Sequence, residues 1–566
     1  MSELWRPSPA RIADATLTRF TSCVNTRRGT QLREYAELYA WSLAEPADFW
    51  SELARFADVR ADWGAGPAIE HPARMPGARF FPGARLNFAE NLLRFGDDQP
   101  ALVFRNERGT RRTLSYRELR AQVARVADGL RCAGVVAGDR VAGFLPNLPE
   151  AAIAMLAAAS VGATWSSCSP DFGVRGVLDR FGQIQPKVLF TADGYFYAGK
   201  QLDSLQSMSE ALAQLTAVER VVVIPYVDPR PNLAALGPAA GRASLWQEFG
   251  VSGGAASFAS LPFDHPLYIL YSSGTTGRPK CIVHGAGGTL LQHHKEHLLH
   301  TDLKRSDRLF YFTTCGWMMW NWLISGLASG ATLVLYDGSP FHPHPGVLWD
   351  MAQHERITIF GTSAKYLSAL QKDGFVPAQA VDLTALRTVL STGSPLLPES
   401  FDYVYSAVKA DLQLASISGG TDIVSCFALG CPTRPVYRGE IQCRGLGMAV
   451  DIFDDAGRPV RILEALAVAQ DWQGDVRIVL FVRLRNGAEL DEALQQQIRS
   501  TIRTHTTPRH VPAKIIAVPD IPRTLSGKVT ELAVRNVIHG LPVKNLEALA
   551  NPGALAHFRD LPELKS

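Results

Sequence analysis

A loop rich in glycine and hydroxyl side chains follows directly after an apolar, aromatic segment and ends in a lysine. The segment, residues 266–271, has the composition of a buried strand. The loop, residues 271–280, holds five hydroxyl side chains and two glycines and closes with Lys280. Glycine lets a backbone approach a ligand closely, amides and hydroxyls donate hydrogen bonds, and an ammonium group neutralises negative charge. The pattern therefore predicts a site for phosphate oxygens, although the same residue types also occur in ordinary surface loops.

This loop differs from the Walker phosphate-binding loop at two positions. The Walker pattern has glycine before its lysine and serine or threonine after it. Here Pro279 precedes Lys280, and Cys281 follows it. A P-loop nucleoside triphosphatase is therefore disfavoured.

Short strand-like segments alternate with helical segments along the chain. The strand-like ranges are 101–104, 140–145, 187–190 and 221–224. The helical ranges are 115–130, which begins at Ser115 with a capping-type pattern, and 151–163, whose apolar composition predicts a buried helix. Alternation of strand and helix implies parallel sheets with helices on both faces. The predicted fold class is therefore α/β for the large N-terminal part, with a helical extension over residues 1–62. The C-terminal part, with strands near 476–483 and 514–518 around a helix at 491–504, is predicted to be a small α+β domain.

Charge and hydropathy exclude several classes of protein. The formal charge of +3 is small for 566 residues, so neither nucleic acid nor a membrane surface is expected as the main partner. The N-terminus lacks a secretory-signal pattern, and the longest apolar run, residues 151–163, is too short to cross a bilayer. The eight cysteines are scattered without a Cys-x-x-Cys pair. They are expected to be reduced thiols in a cytoplasmic protein, without a zinc site.

Several histidines lie close together after the phosphate loop. His293 and His297 would share one helix face, with His300 close behind them. Such spacing suggests a metal site, but the H-E-x-x-H pattern is absent. A partly solvated amphipathic helix explains the same residues, and this interpretation is favoured.

The phosphate loop resembles the signature of the acyl-adenylate-forming enzymes, which include acyl-CoA synthetases, luciferases and peptide-synthetase adenylation domains. Two later turns, residues 391–396 and 416–422, resemble the family's adenine-contacting turn and its G-x-T-E motif. Residues 521–528 resemble the P-x-T-x-S-G-K motif of the family's small lid domain. The resemblance runs along the whole chain, and residues 8–62 are similar to the N-terminal extension of short-chain acyl-CoA synthetases.

The resemblance implies a role for individual residues. Lys528 would be the catalytic lysine of the lid, and Asp422, which replaces the family's Glu, would hold Mg²⁺. The ATP phosphates would contact Ser272, Ser273, Gly274, Thr275, Thr276, Gly277, Lys280 and Thr421. The adenine would contact Gly393, Ser394, Pro395 and Ser418. Ser394 stands where the family usually has an acidic residue.

The resemblance also implies where the other two substrates bind. Trp317 and Gly419 would wall the acyl pocket, and Lys200 stands where relatives place a basic residue for the CoA phosphates. Because Gly419 occupies a position that is tryptophan in acetate-specific relatives, room for a longer acid is expected. Replacement of Gly419 by tryptophan should then shift preference towards acetate.

The implied activity is an AMP-forming acid–thiol ligase acting on acetoacetate, ATP and CoA, as a cytoplasmic monomer. A different short-chain acid, or a carrier protein in place of free CoA, is the nearer alternative. A binder of acyl or nucleotide ligands without full activity is the remaining alternative.

One segment departs from the family. Between the expected strands at 448–453 and 464–468, the family carries a ribose-binding Gly-Asp pair and a Gly-Arg-x-Asp hinge, and this sequence has neither. The boundary between a large domain, residues 1–460, and a lid domain, residues 461–566, is placed at this seam. The lid is therefore expected to lack its hinge and first strands.

Overall fold

The chain forms two compact units, residues Met1–Val450 and Asp451–Ser566. A computed structural model describes residues 2–251, 253–272, 278–453, 462–485, 487–505, 510–524, 529–543 and 546–565. The division falls earlier than the expected boundary at residue 460. One reason is that Asp451 forms an ion pair with Arg485, which lies in the second unit.

After a short strand, Glu3–Trp5, the first unit has four helices, as predicted for the N-terminal extension. They are Pro9–Asp14, Thr16–Arg28, Tyr35–Ala44 and Pro46–Phe56. Pro46 occupies the start of its helix, where a missing backbone N–H costs nothing. Phe49 is fully buried and packs edge-on against Trp41 and Trp50. Phe49 and Trp50 also belong to the main hydrophobic core of the first unit, so the extension shares that core.

The first large sheet has seven strands and ends in the strand that follows the phosphate loop. In spatial order the strands are Ala243–Leu245, Arg220–Ile224, Val188–Ala192, Arg140–Phe144, Thr164–Cys168, Pro266–Tyr271 and Cys281–Gly285. All neighbours are parallel except the last pair. The phosphate loop therefore joins two antiparallel neighbours at one edge of the sheet.

The second large sheet also has seven strands, parallel except at one edge. In spatial order they are Gln413–Ser416, Thr388–Thr392, Ile359–Ser363, Arg308–Tyr311, Thr332–Asp337, Pro100–Asn106 and Arg111–Ser115. Only the last pair is antiparallel. The two sheets confirm the predicted layered α/β class.

Helices cover these sheets, and one of them is buried along its whole length. They are Phe88–Leu92, Tyr116–Cys132, Pro149–Val161, Val174–Ile184, Leu205–Leu212, Ala286–His294, Met318–Ser325, Val347–His354, Ala364–Lys372, Pro377–Ala380 and Pro398–Tyr403. Every residue of Pro149–Val161 is buried, as its apolar composition predicted. Ser115 and Glu118 form the predicted capping box at the start of Tyr116–Cys132. No helix in the described part of the chain is long and apolar enough to cross a membrane.

Smaller sheets complete the first unit. One antiparallel sheet of three strands, Ser418–Gly420, Ser425–Leu429 and Cys443–Arg444, lies next to the candidate site. The expected strand over 448–453 was wrong, because the described residues there form none. The Tyr39 hydroxyl donates to the Met448 carbonyl and accepts from the Val450 amide, so a side chain takes the place of a neighbouring strand.

The second unit is a small α+β domain, as predicted. Its sheet has the strands Ile462–Trp472, Asp475–Leu484 and Lys514–Ala517, with the helices Glu492–His505 and Glu531–Ile538. The first strand pair is antiparallel and the second is parallel. Val479 and Phe481 are fully buried in its separate core.

Candidate active site

A cavity of about 530 Å³ lies where two parallel strands of the second sheet end. The strands are Thr388–Thr392 and Gln413–Ser416, and ligands of open α/β sheets bind beyond the carboxyl ends of such strands. Nine of the predicted site residues line it: Ser272, Trp317, Gly393, Ser394, Pro395, Ser418, Gly419, Thr421 and Asp422. The structure thus gathers turns that are more than 100 residues apart in sequence around one space.

The two ends of the phosphate loop are held together. The Ser272 amide donates to the Lys280 carbonyl at 3.1 Å, and the Lys280 amide donates to Ser272 Oγ at 3.3 Å. Ser273, Gly274, Thr275, Thr276 and Gly277 lie outside the described residues. The Lys280 side chain is exposed, and no described carboxylate pairs with it. Its ammonium group is therefore available to an anionic ligand.

The turn predicted to contact adenine lies beside the ring of Trp317. Gly393 has a φ of 92°, a conformation that favours glycine, and a Cβ built there would lie 3.6 Å from Trp317. Thr392 Oγ1 donates to the Ile417 carbonyl at 2.8 Å, which ties this turn to the next one. The turn therefore offers a glycine backbone next to an aromatic ring.

Trp317 differs from the other aromatic residues in its sequence run. It is half-buried at the start of the helix Met318–Ser325, lines the cavity, and packs edge-on against Tyr311. Trp320 and Trp322 are fully buried core residues. The expectation that Trp317 forms a wall of the pocket is consistent with this position.

The turn that carries Thr421 and Asp422 joins the strands Ser418–Gly420 and Ser425–Leu429; we call residues 418–429 the site hairpin. Asp422 is exposed on the cavity wall, and no described basic side chain pairs with it. A free carboxylate on the cavity that Ser272 also lines fits Mg²⁺, which commonly takes one or two protein carboxylates together with substrate phosphates. Asp422 is therefore suited to the predicted role.

Gly419 lines the cavity through its backbone alone. A Cβ built on it would overlap the carbonyl oxygen of Ser425 and lie 2.8 Å from the Cys426 Cα. Any side chain there would therefore meet the neighbouring strand. The expected effect of tryptophan at Gly419 on acid preference stays a prediction, and this geometry does not favour it.

The clustered histidines are buried, so the expectation of a partly solvated helix was also wrong. His293, His294, His297 and His300 are each at most 3% exposed. Burial lowers the pKa of His294, His297 and His300 to about 3, so these rings are neutral. Among the described residues no group of metal-binding side chains is present. Instead, His293, His297 and His300 each hydrogen-bond a backbone carbonyl of another element.

Neither of the two predicted lysines outside the phosphate loop is among the residues that line this cavity in the described part of the chain. Lys200 is exposed at the start of the strand Lys200–Asp203 and does not line the cavity. Lys528 lies outside the described residues, and the described residues on either side of it, Arg523 and Val529, form an isolated bridge in the second unit.

Sequence reasoning missed part of the cavity wall. Ser425, Cys426, Ile441, Met318 and Met319 also line it. Ser425 and Cys426 follow closely after Asp422, so a hairpin prediction at Gly419 and Gly420 could have found them. Ile441 carries no comparable signal in the sequence.

Comparisons with known proteins agree with this geometry. Residues 88–465 match the family described as AMP-binding enzyme, and residues 35–92 match the acetyl-coenzyme A synthetase N-terminus. The acetoacetyl-coenzyme A synthetase of Rhizobium meliloti is 48% identical over 650 residues, covering 100% of this chain and 99% of the relative. The acetoacetyl-CoA synthetase of Mus musculus is 40% identical over 659 residues, covering 99% and 97%.

A solved structure shows the same fold. The acetoacetyl-CoA synthetase from Streptomyces lividans superposes with a TM-score of 0.77 at 37% identity, and both chains are covered completely. The chain therefore belongs to the AMP-binding enzyme family, and the three relatives named here are acetoacetyl-CoA synthetases.

Proposed function

We propose that the protein is an AMP-forming ligase that activates acetoacetate with ATP and transfers it to CoA. In the first half-reaction, a carboxylate oxygen of acetoacetate attacks the α-phosphorus of ATP, giving acetoacetyl-AMP and pyrophosphate. In the second, the CoA thiol attacks the acyl carbon and AMP leaves, giving acetoacetyl-CoA. The full-length similarity to acetoacetyl-CoA synthetases carries this proposal.

The first half-reaction brings two anions together, so charge neutralisation and alignment are its main requirements. Lys280 and Thr421 would contact phosphate oxygens; the support is that the Lys280 side chain is exposed and that Thr421 lines the cavity. Lys528 would bridge the carboxylate and the α-phosphate and would then leave when the lid moves for the second half-reaction. Because Lys528 belongs to the second unit, it could approach for the first half-reaction and withdraw for the second.

We propose that Asp422 holds Mg²⁺ together with the phosphates of ATP. The support is its exposed carboxylate on the cavity wall, free of any described cation. When bound, Mg²⁺ would neutralise part of the phosphate charge. Asp422 is one methylene shorter than the family's Glu, so its own contribution would depend strongly on where the site hairpin places its backbone.

The acyl group would occupy the part of the cavity between Trp317, Met318 and Met319 and the hairpin backbone at Gly419. A methylene more or less in such an apolar pocket changes preference by about 1–3 kcal/mol. The shape of this part of the cavity should therefore discriminate moderately against acetate and against acids longer than acetoacetate.

Three further assignments belong to the same proposal. Lys200 would contact CoA phosphates, and its exposed position is compatible with that role. The protein would act as a monomer in the cytoplasm. Its eight cysteines are all free thiols, which supports a reducing compartment.

Pyrophosphate release tests the proposal directly. With acetoacetate, ATP and Mg²⁺, release should be acid-dependent, and addition of CoA should yield acetoacetyl-CoA in equal amounts. Acetate and longer acids serve as competitors, and a phosphopantetheine-bearing carrier protein tests the alternative acceptor. Release that needs no acid, or transfer only to the carrier protein, would overturn the assignment.

A further inference from the structure

We propose that His293 and Glu296 are positioning residues that set the site hairpin, and through it Thr421 and Asp422, for the Mg²⁺–nucleotide complex. This inference rests on the proposed function, since it assumes that Asp422 and Thr421 meet that ligand. Neither residue lines the cavity, so both act through the hairpin backbone.

The two residues lie on a helix that changes its winding. Residues Ala286–His294 are α-helical, and Lys295–His300 continue as a π-helical turn. Single π-helical turns are rare and are frequent at functional sites. Here the change in winding lets His293 and Glu296 face the site hairpin, while His297 faces the helix Met318–Ser325.

His293 holds the backbone at the most strained point of the hairpin. Its Nε2 lies 2.7 Å from the Val424 carbonyl oxygen, and its Nδ1 lies 2.7 Å from Ser325 Oγ. Because a carbonyl only accepts, Nε2 carries the proton. Val424 has a φ of 48°, a left-handed conformation that a β-branched residue rarely adopts and that surrounding contacts must maintain. The His293 hydrogen bond supplies such a contact, two residues after Asp422.

Glu296 holds the strand that follows. Its carboxylate accepts hydrogen bonds from the Ser425 hydroxyl, from the Cys426 amide at 3.0 Å and from Trp322 Nε1 at 2.8 Å. It is fully buried, and the ammonium of Lys295 lies 3.6 Å away. A buried carboxylate with these donors is fixed in position, so it fixes the two residues that form part of the cavity wall.

A third contact completes the support from the other side. Nε2 of His284 lies 2.8 Å from the carbonyl oxygen of Thr421. The backbone is thus held at residues 421, 424 and 426, on both sides of Asp422. Among the described residues, nothing hydrogen-bonds the Thr421 hydroxyl or the Asp422 carboxylate. The network therefore fixes the backbone and leaves these two side chains free for a ligand.

His297 offers a matched control for His293. It lies one turn further along the same helix, is equally buried at 1%, and makes the same type of bond, from Nε2 to the Trp322 carbonyl at 2.8 Å. Its partner lies in the helix Met318–Ser325 and not in the hairpin. Loss of His297 should therefore cost stability without altering the hairpin directly.

The test compares His293→Asn, His293→Gln and His297→Asn by thermal unfolding with ATP across a range of Mg²⁺ concentrations, without any acid. A glutamine amide reaches about as far as Nε2 and can keep the bond to Val424, whereas asparagine reaches only as far as Nδ1. In His293→Asn, the Mg²⁺ concentration that gives half of the ATP-dependent shift in Tm should be roughly 10–100-fold higher than in the wild type. Metal affinity usually falls by this factor when a residue that orients a metal ligand is lost. His293→Gln and His297→Asn should stay near the wild-type concentration.

Each outcome decides the inference. An unchanged Mg²⁺ dependence in His293→Asn, or an equal rise in His297→Asn, would overturn it. If His293→Asn does not fold, Ser425→Ala removes the hydroxyl that donates to Glu296 and should raise the same concentration; no rise there would also overturn it. Because the readout needs no acid, absence of acetoacetate-dependent pyrophosphate release in the wild type would overturn the proposed function alone.

Discussion

The phenol of Tyr226 donates a hydrogen bond of 2.7 Å to Oδ2 of Asp337. Asp337 ends a central strand of the second sheet and is 8% exposed, and Asn106 in turn donates to the Tyr226 hydroxyl at 3.0 Å. Burial, together with the smaller effect of the Glu107 charge, raises the pKa of Asp337 to about 7, although hydrogen bonds from Tyr226 and from the Phe196 backbone act in the opposite direction.

This pKa predicts how stability depends on pH. The unfolded chain releases the Asp337 proton near pH 4, but the folded protein keeps it until about pH 7. The folded state therefore binds more protons in this window, and the free energy of unfolding should fall as the pH rises from about 4 to 7. The contribution lost is as much as roughly 4 kcal/mol, from about 1.4 kcal/mol per pKa unit.

Chemical unfolding at several pH values checks this. Asp337→Asn keeps an oxygen acceptor for Tyr226 but cannot ionise, so its stability should fall less steeply than that of the wild type between pH 4 and 7. Tyr226→Phe removes the donor that favours the carboxylate and should extend the decline to higher pH. Parallel pH profiles for wild type and Asp337→Asn would contradict the prediction.

Adjacent glycines in the site hairpin should respond differently to alanine. A Cβ at Gly419 would overlap the Ser425 carbonyl, whereas one at Gly420 would meet only Asp422, with its nearest atom 3.7 Å away. Gly419→Ala should therefore cost on the order of 1–3 kcal/mol of stability, as overpacking usually does. Gly420→Ala should stay within about 1 kcal/mol of the wild type. Equal values of Tm for the two variants would show that the hairpin adjusts at Gly419.

Lys528→Ala should abolish adenylation while sparing thioester formation from supplied acetoacetyl-AMP. The positive charge of the lysine is needed only while two anions approach, and electrostatic contacts of this kind contribute about 3–4 kcal/mol to the transition state. Pyrophosphate release and acyl-AMP-dependent formation of acetoacetyl-CoA measure the two steps separately. Equal loss of both steps would instead indicate a misfolded second unit or a misassigned lysine.

Local sequence patterns were sufficient for the framework of the site. The apolar run at Pro266–Tyr271 and the capping box at Ser115 and Glu118 depend on neighbouring residues, and the structure has both as predicted. The turns at 391–396 and 416–422 were assigned from the resemblance to the family, and in the structure they follow two adjacent parallel strands.

Interactions between distant residues were not predictable in this way. His293 is buried against the site hairpin, where its ring hydrogen-bonds the carbonyl of Val424, 131 residues later in the chain. A Cβ on Gly419 would be directed at the paired strand that begins at Ser425, and periodicity carries no information on that direction. In both cases a polar or small residue was interpreted without its tertiary partner.

The last prediction concerns residues that the relatives have and this chain lacks. The alignment with the Rhizobium meliloti relative runs over 650 residues, whereas the chain has 566, so it includes positions without a counterpart here. The predicted seam near Val460 and Arg461 lies outside the described residues. If the missing residues include those that hold the ribose and form the hinge, the α-phosphorus would be poorly aligned.

Misplacement of the α-phosphorus by about 1 Å can lower the rate of adenylation roughly 10²-fold. A chain of 61.7 kDa should therefore bind ATP phosphates through the 272–280 loop but release pyrophosphate about 10²-fold more slowly than the Rhizobium meliloti relative assayed beside it. Intact mass, nucleotide binding and pyrophosphate release must be measured on the same preparation. A 61.7 kDa chain that matches the relative's rate would contradict the prediction. A heavier mass would show that the protein carries residues beyond these 566.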